Sequence, residues 1–513
     1  MIVISDKELD LQDYYRILIE DENIDISDEV LKKVDDCFDF LSEFSKNKVI
    51  YGVNTGLGPM AQYRINQEDQ LKLQYNLIRS HAAGQGEAIK PICVKAAMIS
   101  RLKSLSLGYS GVHRDAIVLL KELINKNITP FIPVHGGVGA SGDLVQLSHL
   151  ALVLIGEGKV LYNGEWKPTA EVYENEDLKP LKVYLREGLG LINGTSVMSG
   201  IGMVNIIYAN KLLNWSVVIS AMINEMVESF DDHFSDELNS KKKHQGQQKV
   251  AMAMRSAITD SKLIKKRADS LFNGKIEEKI FKQKIQEYYS LRCVPQILGP
   301  ISDTIDNAEK VLQNEINSVN DNPVTDVETK HVYHGGNFHG DYVSFEMDKL
   351  KIAITKLSML AERQLNFLMN SKLNEILPPF VNLGTLGLNL GMQGTQFTAT
   401  STTAENQTLS NPVYVHSISN NNDNQDVVSM GTNSALMAKK VIDNTFEVMS
   451  IEFLTVLQAI DYLKVQDKMA SLTSNIYQNL REIVPVFIED SPKYEEIDAI
   501  KNYLRNNNPK IVK

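Results

Sequence analysis

The amino-acid sequence predicts a mostly α protein in which a loop-rich first part precedes a body of long helices. Three observations carry that expectation. From Met203 to Gln245 no glycine or proline occurs, and apolar residues recur at helical spacing: Ile206, Leu213, Val217, Met222 and Met226. If helical throughout, that run would span roughly 60 Å at ~1.5 Å per residue. A second helical run, FEMDKLKIAITKLSMLAERQLNFLMNSKLNEIL, reaches Pro378-Pro379, where a helix has to stop. A third begins near Ser434 and continues to the C-terminal residues. The first part instead breaks into short helices and the glycine-bearing loops YGVNTGLGPMAQY, RSHAAGQGE and HGGVGASGD. Within it, GKVLYNGEWKPT predicts a hairpin, Asn163-Gly164 forming a type I′ turn between Val160-Leu161-Tyr162 and Glu165-Trp166. The division expected is 1–200 and 201–513.

Composition narrows the function. A chain of 513 residues, 43% hydrophobic and 23% charged, suits a globular protein of two or more domains or one large helical body. Its net charge of -11 repels phosphate backbones, which argues against a nucleic-acid partner. The basic run Lys241-Lys242-Lys243-His244 lacks interleaved aromatics and reads as a solvated helix end. Cys37, Cys93 and Cys293 form no CxxC pair and are odd in number, as in a reducing compartment, and packing is their expected role. MIVISDKELDLQDYY meets acid at Asp6 and has no basic segment before an apolar one, so no signal peptide is read there. With no run of ~18 apolar residues, no membrane span is expected either, and the cytoplasm is the expected compartment.

The stretch HGGVGASGDLVQLSHLALVLIGEG contains two incompatible readings. Gly137, Gly139 and Gly142 spell G-x-G-x-x-G, and Glu157 follows where dinucleotide-binding folds place a ribose-binding acid. That fold needs strands alternating with helices around a parallel sheet, whereas ITPFIPVHGG upstream carries Pro130 and Pro133 and no βαβ series follows. Ala140-Ser141-Gly142 permits other chemistry. In a strained loop the Gly142 amide nitrogen can attack the Ala140 carbonyl, and loss of water, including the Ser141 hydroxyl, leaves an exocyclic methylidene. Only small residues tolerate that compressed geometry. The plainer alternative is helix capping, with Ser141 or Asp143 as the N-cap of LVQLSHLALVL.

GGVGASGDL resembles the signature of the ammonia-lyase family that makes the 4-methylidene-imidazole-5-one (MIO) electrophile, which includes the histidine, phenylalanine and tyrosine ammonia-lyases. Gln146 departs from it, standing where the family usually has proline. The resemblance continues in family order through YGVNTGLG, NLIRSHAAG, INGT, YYSLRCVPQILGP, NDNP, GGNFHG and NQDVVSMG, and covers nearly the whole chain. It implies the histidine and phenylalanine ammonia-lyase fold, with an N-terminal domain bearing the electrophile and a long-helix bundle. It implies that Ala140, Ser141 and Gly142 form MIO with no external cofactor, and that Tyr51 is the base that removes the substrate β-proton. A free tyrosine has a pKa of ~10, so such a base works best in alkali. By the same resemblance Arg292 holds the substrate carboxylate, a task suited to a guanidinium fork, and Tyr289 is a second active-site tyrosine. Asn193 and Gln286 are amides near electrophile and substrate, and Phe338 is a ring beside them. His331, His334 and His339 have no carboxylate or cysteine completing a metal set, so no metal is expected. A homotetramer with shared active sites is implied, Tyr51 and Arg292 coming from chains other than the one supplying the electrophile.

Two positions bear on the substrate. Ser80-His81 looks like the histidine lyases, yet Gln425 stands where those carry a glutamate, and a neutral amide suits an imidazole substrate less well than a carboxylate. His81 can also hydrogen-bond a phenol, and a site built around that hydroxyl rejects the deoxy analogue by ~10⁴–10⁵. SGVH, GGVGASGDLVQLSHLALVLIGEG and HVYHGGNFHGDY look most like a bacterial subgroup of tyrosine lyases with this Ser-His pair. Tyrosine, giving trans-p-coumarate and ammonia, is therefore the expected substrate. Histidine, giving urocanate, stays open, as do an MIO-dependent tyrosine 2,3-aminomutase and a non-enzymatic oligomeric scaffold.

Overall fold

The computed structural model describes residues 1–272, 279–281, 284–416, 418–509 and 511. They form two compact units. The first comprises Met1–Ile207, Ala308–Asp348 and Pro412–Lys439, the second Tyr208–Asn307, Lys349–Asn411 and Lys440–Lys513. One cut near residue 200 does not describe this division. Four long helices, Ser196–Met226, Val294–Ile316, Asp341–Met369 and Gly431–Leu463, each contribute one end to each unit.

The mostly α expectation holds, and the first unit is more helical than its glycine-rich texture suggests. Asp28–Phe44 and Pro91–Ser106 are helices of 17 and 16 residues. The latter opens with Pro91 in its first turn, where a missing N–H costs nothing. From Ala96 onward each of its residues is buried, including Ser100, Arg101, Lys103 and Ser104. Strands are short, and among the described residues only Ile2–Ile4 and Ile24–Ile26 form a parallel pair. ITPFIPVHGG contributes the strands Thr129–Pro130 and Pro133–His135, which belong to separate small sheets. The hairpin forms as expected: Lys159–Tyr162 pairs antiparallel with Glu165–Pro168, and Asn163 and Gly164 take φ of 51° and 82°.

Two helices end earlier than their apolar periodicity implies. The Ser196–Met226 helix stops because Glu228 turns left-handed at φ 51° and the Ser229 N–H folds back onto the Asn224 carbonyl at 3.0 Å. Beyond it, Ser235 caps the short helix Asp236–Asn239. The Asp341–Met369 helix likewise ends well before Pro378, because the Asn370 side chain accepts from the Lys372 N–H and starts a separate turn, Ser371–Asn374. Ser196–Met226 is long and apolar enough to cross a membrane, but 83% of its most apolar window is buried in protein.

In the second unit, Trp215 is buried with its indole N–H on the Leu504 carbonyl at 2.9 Å and its ring edge-on to Phe453. This ties the C-terminal helix Tyr494–Asn506 to the core. Buried Glu225 accepts the Ala470 N–H and the Thr473 hydroxyl, both at 2.6 Å, and so caps the start of helix Ser471–Ile483.

Glu228→Gly should relieve about 1 kcal/mol of left-handed strain. The exposed Glu228–Lys265 ion pair (2.6 Å) that it removes is worth less. The expected result is a small rise in thermal midpoint; a fall would show that the ion pair outweighs the strain.

Candidate active site

The loop carrying Ala140, Ser141 and Gly142 is built around one close approach. Gly142 has φ +70° and lies against Gly194, so a Cβ on Gly142 would sit 2.1 Å from the Gly194 carbonyl oxygen. The Asp143 N–H donates to that same oxygen at 2.8 Å. Behind the loop, the Gly139 carbonyl accepts from the Gly340 N–H (3.0 Å) and the Ser429 hydroxyl (3.1 Å), and the Met430 N–H donates to the Val138 carbonyl (3.0 Å). The glycines thus serve backbone packing. Glu157, the would-be ribose ligand, pairs instead with Arg79 at 2.6 Å on the surface.

Capping of the helix that follows them does not explain these residues either. Helix Leu144–Leu154 has no side-chain cap. Asp143 turns away from it and accepts the Val197 and Met198 N–H groups, each at 2.9 Å, at the start of the Ser196–Met226 helix; the Thr432 hydroxyl holds its other oxygen. Burial pushes the Asp143 carboxyl up to about 6, against the opposing pull of these donors and of Arg101. Ser141 is held by the Asn193 amide, whose Nδ2 donates at 3.0 Å to both its carbonyl oxygen and its Oγ. Gln146, in the first turn of Leu144–Leu154 where proline is also tolerated, is buried and donates to the Val134 carbonyl at 3.4 Å.

A cavity of about 1080 Å³ opens over this loop within the first unit. Ala140, Ser141, Tyr51, His81, Asn193, Phe338 and Gln425 all line it. Tyr51 therefore shares a cavity with the Ala-Ser-Gly loop of its own chain, which corrects the expectation that another chain supplies it. Its loop is set by the cluster Leu41, Ile50, Val53 and Val332, and by buried Gln74, which donates to the Gly52 carbonyl at 2.9 Å and accepts the Leu189 N–H at 3.2 Å. The Tyr51 hydroxyl accepts the Gly58 N–H at 2.9 Å.

His81 ends the helix Gln70–His81. Its Nδ1 lies 3.0 Å from the Leu77 carbonyl and 3.0 Å from the Ser80 hydroxyl. A carbonyl only accepts, so Nδ1 carries the proton and Nε2 offers a lone pair. Burial lowers the imidazole pKa, against the Leu77 bond, so the ring is neutral at pH 7. Leu73, Asn76, Leu77, Ser80 and His81 line the cavity at helical spacing.

Gln286, Tyr289 and Arg292 are absent from the lining and gather in the second unit. Arg292 donates to the Gln286 side chain and lies over the Tyr289 ring at 4.8 Å, and Tyr289 is 70% exposed. Their turn is pinned by Gln364, donating to the Ser290 carbonyl at 2.8 Å, and by Asn224, donating to that of Leu291 at 3.3 Å. The other histidines are dispersed: the Tyr51 N–H donates to His334 Nε2 (3.4 Å), and the His339 ring contacts the Val427 carbonyl (3.2 Å). Among the described residues no group of three His, Cys, Asp or Glu is placed to hold a metal ion.

Several lining residues escaped the sequence reading: Asn322, and the asparagine-rich run SNNNDNQD, which supplies Asn421, Asn422, Asn424 and Asp426. Asn421, Asn422 and Asp423 take φ of 55°, 51° and 57°, and a Cβ on Gly58 would meet Asn421 Nδ2 at 2.9 Å. Asparagine's tolerance of left-handed backbone was the available signal.

The family model for aromatic amino acid lyases matches residues 9–482. The chain is 38% identical over 464 residues to the tyrosine 2,3-aminomutase of Chondromyces crocatus, covering 89% of this chain and 87% of that one. It is 37% identical to the histidine ammonia-lyase of Geobacillus sp. (98% and 96% covered) and 38% identical to the tyrosine ammonia-lyase of Cupriavidus metallidurans (90% and 87%). The crystal structure of the tyrosine aminomutase from Streptomyces globisporus superposes with a TM-score of 0.92 at 34% identity, covering 98% of this chain and 96% of that one.

Two substitutions test the close approach. Gly142→Ala drives a methyl into Gly194 and should lower the thermal midpoint by several degrees. Gly164→Ala, also left-handed but with open space around it, should cost only about 1 kcal/mol. Equal effects in thermal melts would refute the steric account.

Proposed function

The chain belongs to the aromatic amino acid lyase family, and from that premise we propose that it eliminates ammonia from L-tyrosine to give trans-p-coumarate, using MIO closed from Ala140-Ser141-Gly142. The observation that carries the substrate is His81: a neutral imidazole on the cavity wall, its Nδ1 proton committed to the Leu77 carbonyl, offers a hydrogen-bond acceptor. A phenol supplies the matching donor. Phenylalanine would leave the acceptor unpaired, which is the basis of a large preference. Gln425 lines the same cavity with a neutral amide where a carboxylate would favour an imidazolium.

The three residues fit the electrophile. Gly142 has no room for a side chain, Ala140 is buried, and Asn193 grips the residue between them. Once formed, the group supplies a carbon electrophile that makes the substrate nitrogen a better leaving group. The chain's own residues do the rest. Tyr51 takes the β-proton as a phenolate, with the Gly58 N–H already on its oxygen. Asn193 is a fixed donor where charge develops, and the Phe338 ring closes one side. Arg292, with Gln286 and Tyr289, binds the carboxylate from a neighbouring subunit of a homotetramer, which is the role left to a cluster on an exposed turn outside this cavity. Tyrosine 2,3-aminomutation is the second reading, favoured by a relative of that name at the same 38% identity as the lyase; it differs in re-adding ammonia at the β-carbon.

Parallel ultraviolet assays with tyrosine, histidine and phenylalanine, followed by chromatography, test the assignment. Coumarate should form fastest. Faster urocanate would overturn the substrate, and β-tyrosine in the mixture would make the enzyme a mutase. Separately, the rate should climb towards alkaline pH, since only ~0.1% of an ordinary tyrosine is ionised at pH 7. Tyr51→Phe should lower kcat by 10²–10⁴-fold and abolish that climb; a flat or acidic wild-type profile would exclude Tyr51 as the base.

A further inference from the structure

We propose that Arg101 is a positioning residue for closure of the Ala140-Ser141-Gly142 ring, acting as the backstop that keeps Gly194 pressed against Gly142. The inference rests on the MIO reading above and names a residue that this reading does not use.

The geometry is a stack. Gly142 lies on Gly194, and Gly194 lies on Arg101 and Asn320: at φ +148°, a Cβ on Gly194 would meet Arg101 Nη1 at 2.5 Å and Asn320 Oδ1 at 2.7 Å. Neither neighbour can easily retreat. Arg101 is fully buried with Nη2 anchored on the Gly190 carbonyl, and Asn320 is held between the Ser104 hydroxyl and Thr195, each at 3.0 Å. Thr195 is itself tied to Glu315.

Arg101 is a poor choice for stability alone. Among the described residues its Nε and Nη1 have no hydrogen-bond partner, although nothing of the side chain reaches solvent. A buried guanidinium with two idle donors is costlier than an apolar residue of the same volume. What arginine adds is a rigid planar fork, one arm fixed at Gly190 and the other braced on Gly194, which a lysine ammonium cannot reproduce.

The closure that this brace serves is balanced without an oxidant. The Gly142 nitrogen bonds to the Ala140 carbonyl carbon. The Ala140 oxygen then leaves as water with the protons of the Gly142 and Ser141 nitrogens, forming a carbon–nitrogen double bond to Ser141. The Ser141 hydroxyl leaves with the Cα proton as a second water and opens the methylidene. The ring-forming attack needs Gly142 held towards Ala140, and a Gly194 free to move back would relax it.

Intact-protein and peptide mass spectrometry reads the outcome, because closure removes the mass of two waters. Freshly expressed wild-type protein should show the full loss; if it does not, the MIO reading itself fails. Arg101→Lys, shown to be folded by circular dichroism and a cooperative melt, should lose the two waters at least ten-fold more slowly. Asn320→Ala weakens the other half of the backstop and should also slow closure, which covers the case of Arg101→Lys failing to fold. Wild-type closure kinetics in either folded variant would overturn the proposal, even with a lowered thermal midpoint, since that would mark a purely structural role.

Discussion

The contact between Gly142 and Gly194 organises the first unit. Two chain segments about fifty residues apart meet with no side chain between them, and everything near the candidate site follows from keeping them there. The Asp143 carboxylate caps the Ser196–Met226 helix just beyond Gly194, so the loop and a long core helix are locked by hydrogen bonds between charged and backbone groups. Asn193 reaches back to Ser141 from the other side of Gly194. Thr432 and Ser429 add a third segment, from the start of the Gly431–Leu463 helix. A loop held from so many directions can stay strained without unfolding.

Above this floor the cavity combines apolar side chains with hydrogen-bonding groups and one carboxylate, Asp426. His81 is uncharged, and Asn193, Gln425 and the asparagines of the 421–424 loop are amides. Arg292 belongs to an exposed turn outside this lining. On the reading proposed above, selectivity for the ring and grip on the carboxylate reside on different elements.

Much of this was legible in the sequence where a residue type carried a local rule. Asn163-Gly164 forced a hairpin turn, glycine-free apolar periodicity announced the long helices, and Ala140, Ser141 and Gly142 marked a loop that lies on the cavity. The misreadings came from single-residue helix stops and from long-range contacts. Helix ends at Glu228 and Asn370 depend on single residues that interrupt no periodic pattern. Asp143 looks like the cap of its own helix but caps another, because residue 197 is adjacent only after folding. Arg101 sits in an apolar-looking helix and gives no sign that Gly194 is its neighbour. The provenance of Tyr51, assigned to a second chain, was an inference about assembly that only coordinates could correct.

The four helices shared by the two units carry a final implication. No peptide bond divides this chain into parts that each retain a whole unit, because residues 308–348 and 412–439 fold with the N-terminal segment while the stretches between them do not. A fragment ending near residue 200 would keep Tyr51, His81 and the Ala-Ser-Gly loop yet lack Phe338, Gln425 and Thr432. Separating the units would mean breaking four continuous helices at once, which favours cooperative, all-or-none loss of structure. In evolutionary terms, the protein is a poor donor for domain shuffling: its site can be tuned residue by residue but not inherited as a cassette.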